Sequence, residues 1–264
     1  MSQATFDWHD PVNVRDWIRN HMRGGNITRK EQIEILLELL SVLKEDEHRI
    51  LDLGCGDGVI SELLLERFPK AYVVGLDSSS PMLEAARLRL SRFGGRFTLF
   101  NHDLRDTQQP LLEVGAFDAA IGVQSVHHLN SAEKKALFQW VSLSLRDGGL
   151  FLLADRIRLA SAPLFAYQLR LWDRLQKLAG AEPASDGYSY TDHLANCATR
   201  GDFPDGVEDQ LRWMRAAGFG EVDEFYRHAE RAVFGGLKVP PQGTRQPRVP
   251  MPEGPPRQVV HRGL

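Results

Sequence analysis

Cysteine is scarce, with only Cys55 and Cys197 in 264 residues. Two thiols do not make a disulfide framework, and a cysteine-rich metal site is excluded with it. The nine histidines fall at no His-x-x-x-His or comparable ligand spacing. The one adjacent pair, His127 and His128, points in different directions on most backbones, so no metal is expected. No apolar run approaches the ~20 residues that cross a bilayer. The first residues, Met-Ser-Gln-Ala-Thr-Phe-Asp-Trp, lack the basic start and apolar centre of a secretion signal. A soluble cytoplasmic protein with no membrane partner is expected. Excess basic charge is also lacking, since 32 Lys and Arg face 35 Asp and Glu for a formal net charge of −3. Residues 239–264 hold four arginines against one glutamate, so the body stands at −6 once the tail's +3 is set aside. An acidic body argues against a nucleic-acid surface.

What the chain does contain is 42% hydrophobic residues over a length suited to one α/β domain. Asp10 as N-cap and Pro11 at the first helical position open a helix over 10–23. The pattern Thr28-x-x-Glu31 reads as a capping box for a second helix that runs through Ile33, Leu36, Leu37, Leu40 and Leu43. From Arg49 onward apolar runs alternate with helical spacing: strand 49–53, helix 58–68, strand 72–77, helix 80–91, strands 96–101 and 117–123, helix 131–145, strand 149–155. Such alternation calls for a parallel sheet with helices on both faces. A helix over 207–217 follows, then two strands, 219–227 and 230–235, joined by a very short turn. The segment 239–264 holds seven of the fourteen prolines and no apolar period, and reads as an extended or disordered tail. The division expected is 1–48 as an N-terminal helical cover, 49–238 as the main domain with an insertion at 157–206, and 239–264 as tail.

The chemistry is concentrated where the first strand ends, Arg-Ile-Leu-Asp-Leu-Gly-Cys-Gly-Asp-Gly from Arg49 to Gly58. Gly54, Gly56 and Gly58 let backbone approach a ligand and adopt positive φ, and the helix that follows offers free N–H groups. Asp77 ends the second strand, where a carboxylate accepts both hydroxyls of a ribose. A nicotinamide cofactor calls for Gly-x-Gly-x-x-Gly, whereas here the third glycine arrives one residue early and Asp52 precedes the first. An acid at that point suits an amine better than a phosphate.

At these residues the chain resembles the class I S-adenosylmethionine-dependent methyltransferases, whose Asp/Glu-x-Gly-x-Gly-x-Gly motif matches Asp52 to Gly58 at every fixed position. The resemblance implies a Rossmann-like, seven-stranded, mostly parallel sheet with a C-terminal antiparallel hairpin and a helical lid. It implies S-adenosyl-L-methionine as cofactor, with Asp52 and the Gly54–Cys55–Gly56–Gly58 turn against its methionine part and Asp77 and Ser78 at the ribose. Met82 packs on the adenine or in the core, and Asp103 and Leu104 meet the adenine edge. Gln124, after the fourth strand, lies beside the sulfonium. Arg19 is the candidate for the cofactor's carboxylate, the alternative being that Arg15, Arg19 and Arg23 form a solvated stripe.

The implied activity is methyl transfer to a small-molecule acceptor. Alignment in a dry pocket supplies much of such a displacement, so a base is optional. An oxygen acceptor would use His128, His127 or Asp155, although a loop histidine also serves as a pocket wall. The insertion 157–206 is the natural lid, with Tyr167, Tyr188, Tyr190 and His193 as substrate candidates. Its stripe Leu164, Tyr167, Leu171, Trp172, Leu175 and Leu178 packs on the core or on a second copy of the chain in a homodimer. The C-terminal hairpin and Asp202-Phe203-Pro204 resemble a bacterial group of small methyltransferases related in layout to the enzymes of tRNA wobble-uridine carboxymethylation. A tRNA-modifying enzyme, a non-catalytic cofactor-binding partner and a nicotinamide oxidoreductase are the competing readings.

Overall fold

The computed structural model describes residues 6–21, 28–43, 48–108, 113–159, 161–178, 180 and 188–239, without the side chains of 19–21. The candidate side chain of Arg19 and the tail from 240 onward lie outside the described residues. Two helices, α1 (Pro11–His21) and α2 (Arg29–Ser41), precede the sheet. Asp10 caps α1 by accepting Val12 N–H at 2.8 Å. The capping box expected at α2 does not form: Thr28 sits in right-handed helical backbone with no side-chain cap. Its Oγ1 instead accepts from the Gln32 amide at 3.2 Å, and Glu31 accepts from the Tyr226 hydroxyl at 3.0 Å. A tertiary contact with the last hairpin has displaced the local one.

The sheet then builds as β1 (Arg49–Leu53), α3 (Val59–Arg67), β2 (Tyr72–Asp77), α4 (Ser80–Leu90), β3 (Phe97–Asn101), β4 (Phe117–Val123), α5 (Ser131–Ser144) and β5 (Leu145–Arg156). After α6 (Ala162–Leu178), α7 (Tyr190–Thr199) and α8 (Val207–Ala216) the chain closes with β6 (Phe219–His228) and β7 (Arg231–Lys238). The strand order is β3-β2-β1-β4-β5-β7-β6. β1 to β5 run parallel, and β7 lies antiparallel between β5 and β6. β5 begins four residues earlier than its apolar run indicates. Arg146-Asp147-Gly148-Gly149 reads as a turn, yet the strand carries it through a register shift opposite Phe117 and Ala119.

Strand alternation divides the core into two layers. Leu51, Leu53, Phe151, Leu153 and Phe234 pack with Phe138 and Val141 of α5 and Met214 of α8. Ile50, Val73, Ile121, Leu152 and Val233 pack with Leu36 and Leu40 of α2, Ile60 and Leu64 of α3 and Leu90 of α4. Each fully buried aliphatic side chain contributes about 1.5–3 kcal/mol, so the two layers hold the parallel strand ends rigidly along one edge. Of the two expectations for the α6 stripe, packing on the core is not met. Phe165 is its one buried side chain, and Leu164, Tyr167, Leu171 and Leu178 face outward.

Candidate active site

Along that edge β1 stops at a turn whose glycines all have positive φ, +69° at Gly54, +55° at Gly56 and +80° at Gly58. A Cβ on Gly54 would lie 2.4 Å from Ser125 Cβ, so the turn is pressed against the segment after β4. A Cβ on Gly56 would meet no atom within 4 Å, which makes Gly56 the open side of the turn. Gly56 N–H donates to Asp77 Oδ2 at 2.9 Å, and Ser79 N–H donates to Asp77 Oδ1 at 2.8 Å. Both oxygens of the carboxylate at the tip of β2 are thereby aimed. Burial raises the Asp77 pKa, against the pull of those two N–H groups and of His9 and His128. Ser79 caps α4 by accepting Met82 N–H at 3.2 Å, while its hydroxyl donates to Trp8 O at 2.5 Å. The segment before α1 therefore roofs this corner, with Trp8 against Phe6, Trp17 and His128.

Other residues expected at the cofactor fall in different places. Asp52 is sealed beneath the turn at 1% exposure, its Oδ2 taking the Ser61 hydroxyl at 2.6 Å. It holds α3 to β1 and does not reach the open face. Burial raises its pKa to about 7. Cys55 is buried against Gly75 of β2, leaving only its backbone at the turn. Met82 is enclosed at 2% exposure, as in the core alternative. Ser78 is half-buried after β2 and its carbonyl accepts from Asn101 at 3.3 Å. Asp103 is exposed and paired with Arg105 at 3.1 Å, and Leu104 is buried in the core. Gln124 carries two marks of a functional position: φ of +53° at a non-glycine residue and a buried Nε2 with no hydrogen-bond partner.

The histidine pair overturns the expectation drawn from adjacency. A 3₁₀ turn over Val126–His128 brings the two rings to 4.1 Å between centroids, both facing Asp202. His127 Nδ1 lies 2.5 Å from Asp155 Oδ1, and its Nε2 is 3.6 Å from Asp202 Oδ1. His128 Nδ1 is 3.3 Å from that same oxygen. Burial pushes the His127 pKa below its usual value, against the opposing pull of Asp155. Burial alone would raise Asp202, but His128, His127 and Arg156 hold its pKa down at about 2. Asp155 is likewise held low against its burial, chiefly by His127. With both oxygens engaged by His127 and by the Arg156 N–H, it orients the ring and is not a free base. His127, His128 and Asp202 offer three donor atoms within 4.8 Å of one another, a possible metal set, but Arg156 already occupies Asp202 Oδ2.

Asp202 reaches this place because its segment is clamped to α5. Phe203 N–H donates to His127 O at 2.7 Å, Lys134 Nζ donates to Phe203 O and to Asp205 at 2.7 Å, and Ser131 donates to Asp205 at 2.8 Å. Beyond Asp202 lies a cavity of about 150 Å³ between α6, α7 and the β6–β7 turn. Of the lid candidates, Tyr188 and His193 line it. Tyr190 packs behind them, with its hydroxyl donating to Leu159 O at 3.1 Å and its ring 5.5 Å from Phe165. Tyr167 is 70% exposed and points to solvent. Asp202, Arg156, Arg200 and Glu230 were not among the residues anticipated at the site.

A glycine turn after β1, an aimed carboxylate after β2 and an antiparallel β7 inserted before β6 together define an S-adenosylmethionine-binding fold of class I. Residues 50–149 match the family described as Methyltransferase domain. The carboxy-S-adenosyl-L-methionine synthase of Nautilia profundicola is 20% identical over 209 residues, 79% of this chain and 85% of that protein. A trans-aconitate 2-methyltransferase of Acidovorax sp. is 51% identical over 85 residues, 32% of this chain and 28% of that protein. The chain thus spans most of the synthase but under a third of the trans-aconitate enzyme. Among solved structures, phosphoethanolamine N-methyltransferase 2 of Haemonchus contortus, bound to phosphomonomethylethanolamine and S-adenosylhomocysteine, superposes with a TM-score of 0.62. That likeness covers 87% of this chain and 58% of that one at 14% identity, and speaks for the fold. Residues 50–149 thus carry a methyltransferase domain, and the comparisons together support a class I S-adenosylmethionine-dependent methyltransferase. The chain is an enzyme whose cofactor is S-adenosyl-L-methionine.

Proposed function

We propose that the protein transfers a methyl group, in the cytoplasm, to a small-molecule acceptor seated between α6, α7 and the β6–β7 turn. The observation that carries this reading is the cavity itself, whose lining includes Arg156 at the end of β5, the partner of Asp202, at the same sheet edge as the glycine turn. Two free, buried cysteines suit a reducing compartment, and no helix among the described residues is long and apolar enough to cross a membrane. The open face of Gly56, the aimed carboxylate of Asp77 and the unpartnered amide of Gln124 fit a nucleoside with a polar amino-acid arm, and these residues would hold the cofactor. S-Adenosylmethionine supplies a methyl group on a positively charged sulfur, open to in-line displacement.

The chain's own contribution is position and proton handling. Asp202 faces His128 Nδ1, which assigns the ring proton to that atom and leaves Nε2 free to accept a proton from an acceptor hydroxyl. Asp155 does the same for His127 from the buried side. Trp8 ties the segment before α1 to the Asp77 corner through Ser79 and His128. The names of two relatives, trans-aconitate 2-methyltransferase and a malonyl-[acyl-carrier protein] O-methyltransferase, favour an acidic acceptor. A second reading, in which the chain modifies S-adenosylmethionine itself, draws on the 85% coverage of the synthase. Incubation with S-adenosylmethionine and a panel of small acids and phenols separates the two. Acceptor-dependent release of S-adenosylhomocysteine is the expected result, and cofactor consumption without that product would overturn the first reading.

A further inference from the structure

The cavity beneath α6 has a size, a wall and a charge, and each narrows what it can hold. Its volume of about 150 Å³ accommodates one benzene-sized ring, with a mouth open to solvent beside the exposed Asn196 and Arg200. The wall is aromatic on one side, from Phe165, Trp172 and Tyr188, with the Phe165 ring 6.0 Å from Tyr188 and 5.4 Å from His193. Ring stacking favours a planar guest over a flexible chain of equal volume.

Charge decides the rest. Arg156 is held by Asp202 and lies 3.6 Å from Glu230. Glu230 in turn faces Arg231 and His193, each at 3.3 Å. Burial lowers the His193 pKa, with Arg156, Arg200 and Arg231 acting in the same direction against Glu230, so the imidazole is neutral at pH 7. The ionised groups lining the space are then Arg156, Arg200 and Glu230, which leaves one positive charge in excess. The excess belongs to Arg200, the C-cap of α7, which has no ion pair among the described residues. Asn196 and Gln168 add uncharged polar groups to the lining, Asn196 donating to the Tyr188 hydroxyl at 2.9 Å.

We propose that this cavity binds a monocyclic aromatic acceptor carrying one carboxylate, its ring against Phe165, Trp172 and Tyr188 and its charge on Arg200. The assignment rests on the methyl-transfer reading for its role but on the cavity alone for its chemistry. Calorimetric titration of the full chain with benzoate, benzyl alcohol and benzylamine tests it, with S-adenosylhomocysteine titrated in parallel. Benzoate is expected to bind at least 10-fold more tightly than either isostere. Arg200→Gln, an exposed position, is expected to abolish the preference while leaving S-adenosylhomocysteine affinity unchanged, and Arg200→Lys to restore part of it. Equal binding of benzoate and benzyl alcohol, no binding of any probe, or an undiminished preference in Arg200→Gln would overturn the proposal. Failure of S-adenosylhomocysteine to bind beside an intact benzoate preference would instead overturn the methyl-transfer reading and leave the cavity assignment standing.

Discussion

Replacing Asp52 by Asn should make the protein more stable at alkaline pH, although it removes an acid from the glycine motif. Asp52 is buried, and burial raises its pKa from 3.8 to about 7, with Asp77 adding to the effect and the Ser61 hydrogen bond opposing it. The folded state therefore holds a proton that the unfolded chain has already released between about pH 4 and pH 7. Stability falls as pH rises through that window, because the native state binds more protons than the unfolded one. About three pH units at about 1.4 kcal/mol each amount to a penalty of about 4 kcal/mol above pH 7, as an upper figure. Asn keeps the shape and the acceptor for the Ser61 hydroxyl but never ionises. Urea denaturation of both proteins from pH 4.5 to 8.5 isolates this one group, since every other titration is common to the pair. The gap between the two stabilities should widen steadily toward pH 7 and then level off. A gap of constant size across the range would refute the burial argument.

Other expected outcomes follow from the turn and the histidine pair. Gly54→Ala should destabilise the fold, since its Cβ would collide with Ser125. Gly56→Ala should cost about 1–2 kcal/mol for the left-handed backbone yet weaken S-adenosylmethionine binding far more. Comparing denaturation midpoints with calorimetric affinity for both variants separates the two effects. Asp77→Ala should leave the fold intact and weaken cofactor binding by roughly 10- to 150-fold, the loss of hydrogen bonds to a charged group; unchanged affinity would remove the ribose role. His128→Ala should reduce turnover on an oxygen acceptor by about 10²- to 10⁴-fold, and full activity on such an acceptor would eliminate it as the base.

The glycine turn and the tip of β2 were legible because each is contiguous, whereas Asp52, Cys55 and Met82, expected at the cofactor, are buried. Arg49 to Gly58 and Tyr72 to Asp77 are short apolar runs ending in residues with one structural use, and their strand bounds are read directly from the residues. The ion-pair network beside the cavity was not legible, because Arg156, Asp202 and Glu230 come from three separated segments with no local period in common. Adjacency misled at His127 and His128, whose rings both face the carboxylate of Asp202, a residue far along the chain. It misled again at Thr28, where Glu31 is drawn to Tyr226, 195 residues distant. The signal available for Asp202 was the run Asp202-Phe203-Pro204-Asp205 between two helices, which has no apolar reason to be buried and so had to be held by partners elsewhere. The aromatic lid candidates divided for the same reason. Tyr167 lies on the outward face of α6 and is 70% exposed, whereas Tyr188 lies outside that helix and lines the cavity.

The reversed direction of β7 has an evolutionary consequence. Were that strand parallel to β5, its N-terminal end would lie at the opposite edge and the Ala229–Glu230 turn could not reach the cavity. Reversal supplies a tight turn, with Ala229 at φ +48°, at the edge where the five parallel strands end. Residues of the hairpin and of α7 can change without touching β1 or β2, so the cavity can vary independently of the glycine turn.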